Sequence, residues 1–469
     1  MTGRRAGGRA PSRKSATSRD VALDTLVKVA EGGAYSNLQL NRALQESSLS
    51  RADAALATEL VYGTLQRQLT LDYWLAQFVA KGLRKLEPWV HQLLRLSLYQ
   101  LLFLDRIPAH AAVNEAVSIA RRRGHAGIAS MVNGVLRNAD RNRDRLRIEH
   151  IKADTAVERI ALQYSYPQWL VQRWLASYGE DAATAICRSG NEQPHASIRV
   201  NPLAATREQV LLQLQKDDLE AIPSPAARMG IVVKGGGHLA ERQDFVEGKW
   251  SLQDESSMLV AEAASPQAGM KVLDCCAAPG GKSTHLAELM EGKGKVWAND
   301  LHAHKRALIT AQSERLKLRN VEAITSDALL LGERFEEKSM DVVLLDAPCS
   351  GFGVIRRKPE IKWTKTEGDI AEIAALQKKL LPVAAQLVRS GGVLVYSTCT
   401  IEAAENEQQV QHFLAEHPHF KLDAAWPEDT LSRLREAGII DSTFNGMLQL
   451  LPQHFGSDGF FIARMVRCD

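Results

Sequence analysis

Lys271-Val-Leu-Asp-Cys-Cys-Ala-Ala-Pro-Gly-Gly-Lys-Ser-Thr284 decides the fold. A short apolar run ends at Asp274, a glycine turn follows, and Thr284 to Met290 has a helical pattern. Strand, turn and helix in that order open a nucleotide-binding α/β unit. Gly280 and Gly281 let the backbone bend and come close to a ligand. The rhythm repeats downstream. Lys295 to Asp300 is a strand ending in a carboxylate, 303–318 a helix, and Val321 to Thr325 a strand followed by Ser326-Asp327. Asp341 to Asp346 is a buried strand that runs into Ala347-Pro-Cys-Ser-Gly351. A helix over 369–389, with Pro382 as a kink, leads to the strand Gly391 to Tyr396 and then Ser397-Thr-Cys-Thr400. Alternating strands and helices predict a parallel sheet with right-handed crossovers. Its ligands bind beyond the carboxyl ends of the strands, where Asp274, Asp300, Asp327, Asp346 and Cys399 fall.

Three of these stretches, Asp274 to Lys282, Asp346 to Gly351 and Ser397 to Cys399, resemble the motifs of the RNA cytosine-C5 methyltransferases of the Sun (RsmB/NOP) family. The segment before them resembles the NusB-like domain of the bacterial members that methylate small-subunit ribosomal RNA. The resemblance covers nearly the whole chain. It implies an all-α NusB-like N-terminal domain, a small α+β RNA-recognition-like domain, and an α/β class I (Rossmann-like) catalytic domain dependent on S-adenosylmethionine. The expected boundaries are a disordered basic tail at 1–17, the helical domain at 18–143, a linker and the small domain at 144–240, and the catalytic domain at 241–469.

Composition agrees with several domains. A chain of 469 residues exceeds one ordinary domain, and 45% hydrophobic content permits substantial cores. The formal net charge is only +3, so any nucleic-acid surface must be local. Six cysteines without a CxxC pair predict neither a disulfide scaffold nor a zinc site. No secretory or membrane-length apolar run is visible, and a soluble, monomeric protein of the cytoplasm is expected. Residues 1–19 hold Arg4, Arg5, Arg9, Arg13, Lys14 and Arg19 with no acid. The helical segment carries apolar stripes at Ala54–Leu65, Leu69–Phe78 and Trp89–Leu104, and a basic run at Arg121–Arg123. In the small domain, Ala196 to Asn201 alternates as a strand, and Thr206 with Gln209 forms a capping box for a helix over 207–215. Residues 418–445 give only a weak polar signal, before two last strands that close the sheet antiparallel.

The Gly-x-Gly-x-x-Gly dinucleotide fingerprint is absent, and Lys282-Ser283 lacks the leading glycine of a phosphate-binding loop. S-adenosylmethionine makes other demands. Asp300, at the second strand end, suits two ribose hydroxyls. Asp327 suits the adenine edge, the backbone from Cys276 through Ala277, Ala278, Pro279, Gly280 and Gly281 to Lys282 suits the methionine end, and Asp346 lies where cofactor and base meet.

Carbon 5 of cytosine is a poor nucleophile until a thiolate adds at carbon 6, and the adding group must also leave, which calls for cysteine. Cys349 and Cys399 are both placed for this, and the residues alone do not rank them. The resemblance implies Cys399 as nucleophile and Cys349 as the thiol needed for release of the adduct. Asp346 can hold and protonate ring nitrogen 3, with Lys282 beside it. The run Arg356-Arg357-Lys358, with Lys362, Trp363 and Lys365, is expected to grip phosphates near a flipped-out base. Arg199 and Asn201 are placed to face the same cleft, an ordinary strand surface being the other reading. The implied substrate is 16S ribosomal RNA before subunit assembly is complete. The alternatives are a transfer-RNA cytosine methyltransferase, a non-catalytic assembly factor and a DNA-modifying enzyme.

Overall fold

The computed structural model describes residues 16–32, 35–235 and 239–468; residues 1–15 of the expected tail lie outside them. The chain divides into two compact units, Met1–Arg173 with Lys358–Thr364, and Trp174–Arg357 with Lys365–Asp469.

The first unit is helical. Its main helices are Ser18–Gly32, Ser36–Gln45, Arg51–Gln66, Pro88–Phe103, Ala109–Arg123 and Ala126–Arg141. Apolar residues three and four apart on each helix meet in one core that includes Leu23, Leu26, Leu60, Leu94, Leu98, Ile119 and Leu136. Pro88 stands at the first turn of its helix, where its missing N–H costs nothing. The stretch expected as linker after residue 143 sends Leu146 and Ile151 into this same core.

Residues 358–364 belong to the helical unit although the chain on either side of them does not. The helix Arg51–Gln66 leaves its last carbonyls without intrahelical donors. Trp363 Nε1 donates to Leu65 O at 3.0 Å and Lys362 Nζ to Gln66 O at 2.9 Å. Lys362 also sits 4.1 Å from the centroid of the Tyr166 ring, a cation–π contact. At the start of the helix Ser36–Gln45, the Glu360 carboxylate accepts from the Ser36 amide and hydroxyl at 3.1 and 2.7 Å. A cation thus closes one helix end and an anion the start of another.

The second unit holds two sheets. The smaller has strands β1 (Ala196–Val200), β2 (Glu220–Pro223), β3 (Gly230–Lys234) and β4 (Trp250–Leu252) in the antiparallel order β2-β3-β1-β4. The helix Arg207–Lys216 between β1 and β2 starts with the expected capping box of Thr206 and Gln209. Its fourth strand lies beyond residue 240, where the sequence reading ends this module.

The larger sheet contains β5 (Lys271–Asp274), β6 (Lys295–Asp300), β7 (Val321–Thr325), β8 (Met340–Asp346), β9 (Val388–Thr398), β10 (Phe420–Leu422), β11 (Met447–Leu450) and β12 (Phe460–Arg467). The order is β10-β12-β9-β8-β5-β6-β7, with β11 also on β12. Strands β5 to β9 are parallel, and β12 closes the sheet antiparallel to β9. Side chains alternate across it. Val272, Val342, Leu344, Val393 and Val395 pack one face; Leu273, Val343, Leu345, Leu394 and Tyr396 pack the other. The strand β10 and the helix Glu428–Glu436 occupy the stretch that gave only a weak sequence signal. Chain order reverses between β5 and β8, so the crevice beyond their carboxyl ends is the binding position the topology provides.

Candidate functional site

The loop leaving β5 crosses that crevice. Gly280 has φ +105°, a left-handed conformation suited to glycine, and a Cβ there would come within 3.2 Å of Ile309 Cα. The loop can therefore lie flat on the helix Ala303–Arg315 before the helix Gly281–Leu289 begins. A cavity of about 650 Å³ opens above it. Of the sequence-predicted residues, Ala277, Ala278, Pro279, Gly281, Lys282, Asp346, Arg357 and Cys399 line it. Cys276, Gly280, Asp300, Asp327 and Cys349 do not.

Asp300 lies beneath the loop, accepting from the Ala278 amide at 3.3 Å and the His302 amide at 3.2 Å. The exposed Asp327 spends one carboxylate oxygen on the Leu329 amide, 2.9 Å away, and caps the turn that follows. Burial pushes the Cys276 thiol up from its ordinary value.

Asp274 is wholly buried. Ser283 Oγ donates to one of its oxygens at 2.6 Å, while the other is buried with no hydrogen-bond partner. Burial pushes its pKa up to about 7. An unfolded aspartate titrates near 4. Between about 4 and 7 the folded chain therefore holds the extra proton, and stability falls as pH rises through that window. Asp274→Asn is expected to remove this loss, on the order of 4 kcal/mol at most. Thermal midpoints of variant and wild type from pH 5 to pH 8 measure it. Equal pH slopes would show that Asp274 does not titrate in this way.

Three polar side chains meet at the ends of β8 and β9. Lys282 Nζ lies 2.8 Å from Asp346 Oδ2, and Ser397 Oγ donates to Asp346 Oδ1 at 2.8 Å. Burial opposes the Lys282 ammonium, but the charge and hydrogen bond of Asp346 raise its pKa above the usual lysine value. The Phe460 ring lies 5.1 Å from the same ammonium.

The two thiols face each other, Cys349 Sγ and Cys399 Sγ being 3.3 Å apart. The hydrogen bond to Cys399, together with burial, holds the Cys349 thiol well above the usual range. A network that sequence reasoning passed over fixes both loops. Glu405 accepts from the Ser350 amide at 2.8 Å, and Ser350 Oγ and Thr400 Oγ1 are 2.8 Å apart. Asn406 accepts from Thr398 Oγ1 at 2.5 Å and donates to Thr400 O at 3.0 Å. Trp174 Nε1 donates to Glu402 at 3.0 Å. Gly353 donates to Cys399 O at 3.0 Å and accepts from the Gly459 amide at 2.9 Å, an approach so close that a Cβ at 353 would stand 1.9 Å from Gly459 O. The polar density of Glu402 to Glu407 was the one available signal.

On the cavity wall, Arg357 is held between two acids. Its Nη2 donates to Asp254 at 2.8 Å and its Nε to Asp458 at 3.0 and 2.9 Å. Burial works against the cation, yet the charges of Asp458 and then Asp254 keep its pKa raised. Two carboxylates for one guanidinium leave this cluster without excess positive charge for a phosphate.

The other residues expected to contact RNA are committed elsewhere. Arg356 is buried, donating to the carbonyls of Ser189, Pro452 and Gly456. Lys362 is buried at a helix end, and Lys358 lies 5.5 Å from the Tyr35 ring centroid. Arg199 is fully buried; it pairs with Glu288 at 2.8 and 2.9 Å and donates to Gly281 O at 2.7 Å, to Thr284 and to Gln253. Asn201 is buried and donates to Gly248 O at 3.0 Å. For Arg199, Asn201, Arg356 and Lys362, backbone carbonyls and internal carboxylates use the donors that the sequence offered to phosphates. No group of side chains suited to a metal ion occurs among the described residues, nor a helix long and apolar enough to cross a membrane.

The chain matches the family models described as 16S rRNA methyltransferase RsmB/F over residues 261–466, NusB family over 16–141, and a ferredoxin-like domain of RsmF/B-like methyltransferases over 166–239. The ferredoxin-like match agrees with the antiparallel order of the smaller sheet. "Probable ribosomal RNA small subunit methyltransferase B" of Bacillus subtilis is 45% identical over 96% of this chain and 99% of that protein. The ribosomal RNA small subunit methyltransferase B of Shewanella oneidensis is 34% identical over 96% and 99%. The crystal structure of PH0851 superposes with a TM-score of 0.77 at 28% identity, covering 95% of this chain and 98% of that one. Sequence, domain order and fold agree: this chain belongs to the RsmB/F family of 16S rRNA methyltransferases.

Proposed function

We propose that this protein methylates carbon 5 of a cytosine in 16S ribosomal RNA through a covalent adduct at carbon 6. The observation that carries the reading is the pair of thiols 3.3 Å apart, with the Lys282–Asp346 pair beside them at the end of the neighbouring strand. A nucleophile that must both add and leave can use such a constellation, one thiol adding and the other helping it depart.

The cavity fits S-adenosylmethionine, which supplies the methyl group as a sulfonium. The orphaned oxygen of Asp274 suits a donor on the ligand, and the loop from Ala277 to Lys282 suits the methionine end. Asp300 and Asp327, at and just after the ends of the next two strands, stand outside the lining of this cavity and are assigned to ribose and adenine by their place in the sheet. Cys399, which lines the cavity, adds to carbon 6. Asp346 takes up the proton that the Cys399 thiol gives up, hands it to ring nitrogen 3 as the thiolate adds, and recovers it when the ring is restored. Lys282 keeps Asp346 oriented. Cys349, outside the cavity wall and protonated at neutral pH, donates its S–H to the Cys399 sulfur when that sulfur departs.

A duplexed or packed cytosine cannot enter such a cavity, so a loop of RNA free of the finished subunit is the substrate. Methyl transfer from S-adenosylmethionine to naked 16S RNA, to assembled small subunits and to transfer RNA, read by nucleoside mass spectrometry with RNase mapping, tests this. A single 5-methylcytosine in naked 16S RNA is expected. Product on transfer RNA alone would keep the chemistry and overturn the substrate.

A further inference from the structure

The proposed reaction leaves one proton without an acceptor. After methyl transfer, carbon 5 carries both a methyl group and a hydrogen. That hydrogen must leave as a proton before the Cys399 sulfur can depart. The cavity wall offers few groups for the task. Lys282 is an ammonium and Arg357 a guanidinium, and neither accepts a proton. Asp346 is taken at ring nitrogen 3, which stands across the ring from carbon 6 and away from carbon 5. Asp274 is wholly buried on the side of the cofactor loop, bound to Ser283. The Cys349 thiol is held in its protonated form.

Two carboxylates remain. Asp254 has both oxygens occupied. Oδ1 accepts from the Ser256 amide, the Ser256 hydroxyl and the Asp458 amide, and Oδ2 from Arg357. Among the described residues, the Asp458 carboxylate accepts from Arg357 Nε alone, shared between its two oxygens. Its backbone is also tied to the nucleophile. The next residue, Gly459, donates to Gly353, which donates to Cys399 O, and Phe461 pairs in register with Thr398.

We propose that Asp458 is the general base that takes the carbon 5 proton, with Arg357 and Asp254 as the residues that position it. This rests on the reading of carbon 5 methylation through Cys399. The C5–H electron pair becomes the C5–C6 double bond, the C6–S pair leaves on Cys399 as thiolate, and the proton passes to Asp458 and then to water. Burial, and next the charge of Asp254, push Asp458 up to about 7 against the pull of Arg357 and Arg356. Above that pH it is an acceptor, and it can return the proton to solvent afterwards.

The test uses the full chain, 16S RNA and S-adenosylmethionine labelled in the methyl group, and follows cofactor binding, labelled protein–RNA adduct and free 5-methylcytosine. Asp458→Asn is expected to bind cofactor and form labelled adduct normally, but to release product about 100-fold more slowly or worse. Wild-type release should fall about tenfold per pH unit below 7, and release by the variant should not depend on pH. Release by the variant within a few-fold of wild type overturns the assignment. So does loss of labelled adduct in parallel with release, which marks a structural role. If Asp458→Asn does not fold, Asp458→Glu decides: slowed release with unchanged adduct formation supports the base, and equal slowing of both overturns it. Wild type that makes no 5-methylcytosine overturns the underlying reading instead, whatever the variants do.

Discussion

Cys399→Ala is expected to make no 5-methylcytosine, a loss of about 10⁴-fold or more, because no other group can replace a nucleophile that must also leave. Cys349→Ala is expected to behave differently: it should form the bond to RNA and fail to break it. The reason is positional. Cys399 lines the cavity, whereas Cys349 stands behind it with its sulfur 3.3 Å from the first. A thiol held protonated at that distance is a hydrogen-bond donor to the departing sulfur. Denaturing gels of each variant mixed with 16S RNA and S-adenosylmethionine separate the two roles. A trapped adduct with Cys399→Ala, and none with Cys349→Ala, would exchange the assignments.

Arg199→Ala should destabilise the second unit by about 3–5 kcal/mol, because it strands the Glu288 carboxylate in the interior. Both side chains are fully buried and joined by two hydrogen bonds. Burial already raises the Glu288 pKa against the attraction of Arg199. The guanidinium also holds Gly281 O and Thr284, at the start of the helix that follows the loop leaving β5, the loop proposed to bind the cofactor. Weaker cofactor binding should therefore accompany the loss of stability. Calorimetry is expected to show the thermal midpoint of this unit lowered by on the order of 10 °C. Arg199→Lys should not restore it, since an ammonium cannot reproduce the planar fork. A variant of wild-type stability that binds RNA more weakly, in a salt-dependent way, would return Arg199 to the RNA-contacting role expected from sequence.

The contrast between these two sites shows what the sequence could disclose. The placement of the thiols was legible because parallel strands buried on both faces read as unbroken apolar runs, such as Val342 to Leu345, and each cysteine stands just after such a strand. Arg199 was not legible. A charged residue in an alternating strand announces its charge and conceals its partner, and Glu288 is remote in the chain. The same holds for Arg356, Arg357 and Lys362. Five basic residues after the Cys349 loop suggested a grip on phosphate, yet Arg356, Arg357 and Lys362 donate to carbonyls and carboxylates supplied by Gln66, Ser189, Asp254, Pro452 and Asp458. Polarity also misled at 418–445, where β10 and the helix Glu428–Glu436 form because Phe420, Leu431 and Leu434 are buried among residues that are mostly polar.

The short visit of residues 358–364 to the helical unit bears on how this protein could have been assembled and how far it can be taken apart. A domain joined by one linker can be gained, lost or exchanged by a single cut. Here the chain enters the helical unit twice, and the second entry follows the Cys349 loop. Removing the N-terminal 173 residues would leave Glu360, Lys362 and Trp363 without the helix ends they close, shortly after Asp346 and Cys349 in sequence. The helical part is therefore not a detachable module: loss of it by truncation would have to be matched by a change in the heart of the enzyme.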